Sequence, residues 1–147
     1  MSYQEKRSIL NLISSVLISG IYFWYVFRGD PTAGMDTDEL MHFWGKSILI
    51  LIPVTIVAKI VIAIFFAVGN TVATREKIPS ADERDKLIEL KSLRNSRYMF
   101  GFGFILAMVA LTMNMSVNVM FIVIVLAGMA SEIIENLSQL YFYRKGV

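Results

Sequence analysis

The chain has 147 residues, of which 56% are hydrophobic, and its mean hydropathy of +0.60 exceeds what a water-soluble domain of this length can hide in a core. It contains no cysteine, which excludes disulfides, thiol catalysis, iron–sulfur ligation and cysteine zinc sites. The net charge of +2 sums 14 basic and 12 acidic residues that are spread very unevenly along the chain.

The first element is the uncharged run Ile9–Phe27, close to the roughly 20 residues a helix needs to cross about 30 Å of hydrocarbon. It ends in Tyr22, Phe23, Trp24, Tyr25 and Phe27, an interfacial aromatic cluster rather than a cleavage site, so no signal-peptide cleavage is expected. The second is Ser47–Val68, preceded by Phe43 and Trp44 and interrupted by Pro53 and a lone Lys59. From Tyr98 to Ser131 no charge occurs, and one helix of that length would reach about 51 Å and overshoot the bilayer. The run must fold back at its polar cluster Asn114, Ser116 and Asn118, ending the third span near Met113 and starting the fourth near Val117. The expected architecture is all-α: a polytopic membrane protein in a single membrane domain, 1–147, with spans at about 8–27, 46–69, 96–114 and 117–143. A cytoplasmic connector fills 70–95. No low-complexity linker or repeat period divides the chain.

Orientation follows from the basic residues. All but Arg28, Lys46 and Lys59 of the 14 fall before the first span, between the second and third, or after the fourth. The other side keeps Arg28 and Lys46 among Asp30, Asp36, Asp38 and Glu39. The positive-inside rule then places both termini and the connector in the cytoplasm.

Within the connector, Pro79 precedes Ser80 as helix N-cap with Glu83 at the third position of a capping box. Asp82, Glu83 and Asp85 sit at the amino end and Lys91, Arg94 and Arg97 at the carboxyl end, the arrangement the helix dipole favours. With Leu87, Ile88, Leu90 and Leu93 as an apolar stripe, this predicts a short amphipathic helix at the inner membrane surface, its basic end against anionic headgroups. The stretch Asp82-Glu83-Arg84-Asp85, followed by Leu87-Ile88-Glu89-Leu90-Lys91 ahead of an apolar span, resembles small four-span bacterial inner-membrane proteins of a domain-of-unknown-function family. That resemblance implies the fold and a bacterial origin, and no reaction, cofactor or catalytic residue. A capped helix start is the plainer reading of this motif; a docking site for a cytoplasmic partner is the other.

Lys59, Glu132 and Glu135 carry the largest penalty, because an ionised side chain at mid-bilayer costs about 2.5–3.5 kcal/mol on insertion scales. Lys59 and Glu132 fall at matching depths, about 18 and 22 Å from the outer ends of their spans, which predicts an ion pair. Glu132, Glu135, Asn136 and Gln139 follow helical spacing as one polar face, and Ser8, Asn11, Ser15 and Ser19 make a complementary stripe on the first span. The preferred reading is a polar packing seam; the rival is a cytoplasm-open cavity with a titratable carboxylate, as proton-coupled carriers use. Gly101 and Gly103 are expected to allow close helix contact.

Met35, Met41, His42, Met113, Met115 and Met120 near the outer face suit Cu(I) only weakly, since methionine is a routine apolar filler. Asp36, Asp38 and Glu39 read equally as a cation-attracting loop or a helix amino terminus. With one His and no H-E-x-x-H, G-x-S-x-G or phosphate-cradling loop, no enzyme, metal or cofactor is expected. The expected function is a small non-enzymatic inner-membrane accessory or regulatory component, the alternative a minimal oligomeric proton-coupled transporter or channel using Glu132 and Glu135. Expected partners are the bilayer with its anionic headgroups and a second copy or another membrane protein. Nucleic acid is not expected, because the basic residues hug the membrane and alternate with acids.

Overall fold

A computed structural model describes residues 3–29, 31–74 and 82–146. These form four helices, α1 (Tyr3–Val26), α2 (Thr37–Thr74), α3 (Glu83–Thr112) and α4 (Val117–Lys145), with no strand among the described residues. By length and composition α1, α2 and α4 can each cross a membrane. What is buried agrees with that solvent. The buried positions are mostly small or polar, including Ser8, Ser14, Ser15, Ser19, Ser92 and Ser96, whereas Leu17, Ile21, Leu49, Phe65, Phe102 and Ile105 are exposed. In water such a surface would drive association; in lipid it is the solvated face, and small residues let helices approach closely.

The helices alternate in direction. Tyr22 Oη donates to the Ser47 carbonyl (2.5 Å), and the Tyr3 and Phe66 rings lie 5.3 Å apart, so α1 and α2 run antiparallel. Ser8 Oγ donates to Gln139 Oε1 (3.1 Å) and Ser15 Oγ to Glu132 Oε1 (2.8 Å), which makes α1 antiparallel to α4 as well. Between α3 and α4 the register runs through Asn95 Nδ2 to Ser138 Oγ (3.1 Å) and Gly103 against Ala127, antiparallel along nearly the whole of both helices. A Cβ on Gly103 would overlap the Ala127 Cβ, whereas one on Gly101 would meet open space. Of the two glycines only Gly103 serves the helix contact.

α4 is the hub, packed against α3, α1 and α2, and the described residues of α2 and α3 do not pack on each other. The α1–α2 and α3–α4 tips meet at one end. Trp44, only 1% exposed, donates from Nε1 to Asn118 Oδ1 (2.8 Å) and stacks on Phe121 with centroids 5.6 Å apart. The α3–α4 turn has Met113 as C-cap, Asn114 in the left-handed region (φ 58°) and Ser116 as N-cap of α4. Asn114 and Ser116 therefore make the turn, while Asn118 serves instead as the Trp44 acceptor.

In three places the helices reach beyond, or start differently from, the expected apolar runs. α2 starts at Thr37 rather than near 46, because Asp36 and Glu39 form their own capping box: Glu39 N donates to Asp36 Oδ1 (2.8 Å) and Asp36 N to Glu39 Oε2 (3.2 Å). The two carboxylates are thus occupied as a helix amino terminus. The residues expected as the cytoplasmic connector, 70–95, are helical at both ends, 70–74 continuing α2 and Glu83 onward belonging to α3. Hydropathy marks where lipid begins; the backbone hydrogen-bond ladder continues past it wherever no proline or glycine stops it.

The third place is the amphipathic helix. In place of a separate surface element followed by a span, its residues are the first turns of one unbroken α3. The N-cap is Asp82 rather than Ser80: its Oδ1 accepts from Asp85 N (2.7 Å) and its own N–H donates to Asp85 Oδ2 (3.3 Å). Two overlapping boxes compete in this sequence, and ionised carboxylates at both positions make stronger acceptors than a serine hydroxyl. Arg75, Lys77, Pro79 and Ser80 lie outside the described residues, as does Asp30.

Candidate functional site

The serines of α1 and the polar face of α4 meet along one line because each recurs at helical spacing and neither is apolar enough to face lipid. Glu132 is the centre of that line. Its Oε1 accepts from Ser15 Oγ and is paired with Lys59 Nζ of α2, the side chains being 28% and 35% exposed. Lys59 thus ties α1, α2 and α4 at a single point, in contact with Glu132 and attracted at longer range by Glu135. Asn136, 6% exposed, donates from Nδ2 to the Glu132 carbonyl (2.8 Å), and Gln139 accepts from Ser8.

Beside this seam, toward the end that carries both chain termini, a cavity of about 510 Å³ opens between α1, α2 and α4. One wall is polar, formed by Asn11, Lys59, Glu132, Glu135, Asn136 and Gln139; the other is apolar, formed by Leu10, Ile60, Ala63, Phe66 and Ala67. The space exists because Ala63 and Ala67 of α2 leave room that larger side chains would fill. A smaller chamber of about 190 Å³ continues outward past Arg7, Asp85, Glu89 and Tyr143, and Arg7, Asn11, Glu135 and Gln139 line both. The Glu135 carboxylate forms no hydrogen bond or ion pair to any described residue. Seam and cavity therefore coexist: Glu132 is bonded into the first and also borders the second, whereas Glu135 lines the second alone.

The connector motif splits in the same way. Asp82 and Asp85 cap α3, and Asp85 Oδ2 also accepts from Gln4 Nε2 (3.4 Å). Arg84 reaches the Tyr143 carbonyl (3.5 Å), the Lys91 ammonium lies 5.8 Å from the Phe142 ring centre, and Ile88 is fully buried. Glu89 lines the outer chamber and Glu83 is exposed. The expected stripe divides accordingly, with Ile88 inward and Leu87 and Leu90 outward. Sequence reasoning missed Tyr3, Arg7 and Phe66 as cavity residues. The signal was present as helical spacing, Arg7 to Asn11 on α1 and Lys59, Ala63, Phe66 and Ala67 on α2, but nothing in the sequence says which faces meet.

Among the described residues no group of three or more His, Asp or Glu side chains is arranged to hold a metal ion. Compared with protein-family models, with curated proteins and with solved structures, the chain matches none.

Proposed function

We propose that this is a small non-enzymatic protein of a bacterial inner membrane, an accessory or regulatory component that works through helix–helix and membrane-surface contacts. In this reading α3 is the fourth span: it follows α4 in antiparallel register for nearly its whole length, so wherever α4 crosses the bilayer α3 lies at the same depth. The termini and the basic residues gather at one end of the bundle, and the positive-inside rule makes that end cytoplasmic.

The observation that carries the proposal is the state of α2. It presents Leu49, Ile52, Ile56, Ile64 and Val68 outward and has no described contact with α3, which leaves a long apolar helix engaged along one edge only. A membrane helix from a second copy or another protein fits there, since helix association in lipid rests on close packing. A photo-crosslinking residue at Ile56 should yield a discrete protein adduct in native membranes, and one at Phe104 should not. Lipid adducts alone at Ile56 would reject the proposal.

A second reading is favoured by the open cavity beside Glu135: a minimal oligomeric proton-coupled transporter or channel using Glu132 and Glu135. It requires proton-linked flux in reconstituted vesicles that Glu135→Gln or Glu132→Gln abolishes without loss of fold. The accessory reading requires that no such flux exist.

A further inference from the structure

The fold explains Glu132, Lys59, Ser8, Ser15 and Gln139, each of which has a partner, and leaves three features of the same cavity unexplained. Glu135 has a carboxylate with no described hydrogen bond or close ion pair, one turn along α4 from Glu132, which holds Lys59 in direct contact; Lys59 reaches Glu135 only through the longer-range attraction of their charges. Tyr3 and Phe66 place an aromatic pair, centroids 5.3 Å apart, on the cavity lining. The outer chamber is lined by Asp85, Glu89 and Glu135 against a single exposed arginine, Arg7, at the end of the molecule where most of the described basic residues lie. Lys6, Lys86, Arg94, Arg97, Arg144 and Lys145 crowd that end, yet none of them lines either chamber.

We infer that this cavity binds a small organic ammonium ion carrying an apolar group. The acidic mouth concentrates cations, Glu135, in direct contact with no described cation, supplies the counter-charge, and the Tyr3 and Phe66 rings offer the π faces to which ammonium groups are drawn. The apolar wall of Leu10, Ile60 and Ala63 takes the carbon body. A volume of about 510 Å³ suits such a molecule. An anion would be repelled by Glu135 and by the acidic mouth. A divalent metal needs several oxygen ligands converging on one point, and no three carboxylates among the described residues are so arranged. The inference is independent of what packs on α2, so either can fail alone.

The test is calorimetric titration of the purified full chain in lipid nanodiscs with benzyltrimethylammonium, using benzyl alcohol as the neutral control and benzenesulfonate as the anionic one. Saturable binding of the ammonium alone is expected, weakened about tenfold or more by Glu135→Gln, the loss of one charge-assisted contact. Phe66→Leu should weaken it about threefold, and Glu83→Gln, outside the cavity, should leave it unchanged. Circular dichroism confirms that each variant is folded; should Glu135→Gln not fold, Phe66→Leu decides by itself. Absence of saturable binding, equal binding of benzyl alcohol, tighter binding of the sulfonate, or an affinity unmoved by the deciding variant would overturn the inference.

Discussion

Lys59→Met removes the cation that Glu132 faces and keeps the length and apolar stem of the side chain. What remains is a carboxylate 28% exposed, held by Ser15 Oγ at 2.8 Å and by no other described side chain. Breaking a fully buried pair costs about 3–5 kcal/mol. Here each partner keeps roughly a third of its surface open to the cavity, so partial hydration brings the expected loss down to about 1–3 kcal/mol. Adding Glu132→Leu removes the orphaned charge, and the double variant should return to within about 1 kcal/mol of the parent, with Ser15 free to bond its own helix. The assay is reversible unfolding of the purified protein in mixed micelles by denaturing detergent, followed by circular dichroism, across the parent, both single variants and the double. Additive losses in the cycle would refute the reasoning, because they would show that the two charges do not interact.

Gly103→Ala should destabilise by about 1–3 kcal/mol through the clash with Ala127, and adding Ala127→Gly should recover most of it in the same unfolding assay. Gly101→Ala, whose Cβ meets open space, should be neutral or stabilising. Trp44→Phe keeps the ring stack on Phe121 but strips Asn118 of its donor, for an expected loss of about 1–3 kcal/mol. Asp82→Ala should cost about 1 kcal/mol and speed amide exchange in the first turn of α3, while Ser80→Ala leaves that exchange unchanged.

Much of the layout was legible because the membrane imposes length. The uncharged run from Tyr98 to Ser131 was too long for one span, and its only polar cluster fixed the turn to within a residue or two of Met113 and Ser116. Depth arithmetic brought Lys59 to Glu132 for the same reason, since both helices rise by about 1.5 Å per residue from a common end. Helix ends in water were less legible, because hydropathy is silent there and capping decides. Asp36 with Glu39 and Asp82 with Asp85 set starts that the apolar pattern placed elsewhere. Least legible was which faces meet: the cavity depends on Ala63 and Phe66 of α2 turning toward Arg7 and Asn11 of α1, a rotation that no local pattern encodes.

Topology is the most direct test, and the lack of native cysteine makes it free of background. Ala33→Cys and Met115→Cys place exposed thiols at the two hairpin tips; Lys86→Cys and Lys145→Cys place them at the opposite end. In intact bacterial cells a membrane-impermeant maleimide should label the first two, and the second two only after permeabilisation. Labelling of Lys145→Cys from outside, or protection of Met115→Cys while Ala33→Cys reacts, would contradict a four-span protein with both ends in the cytoplasm.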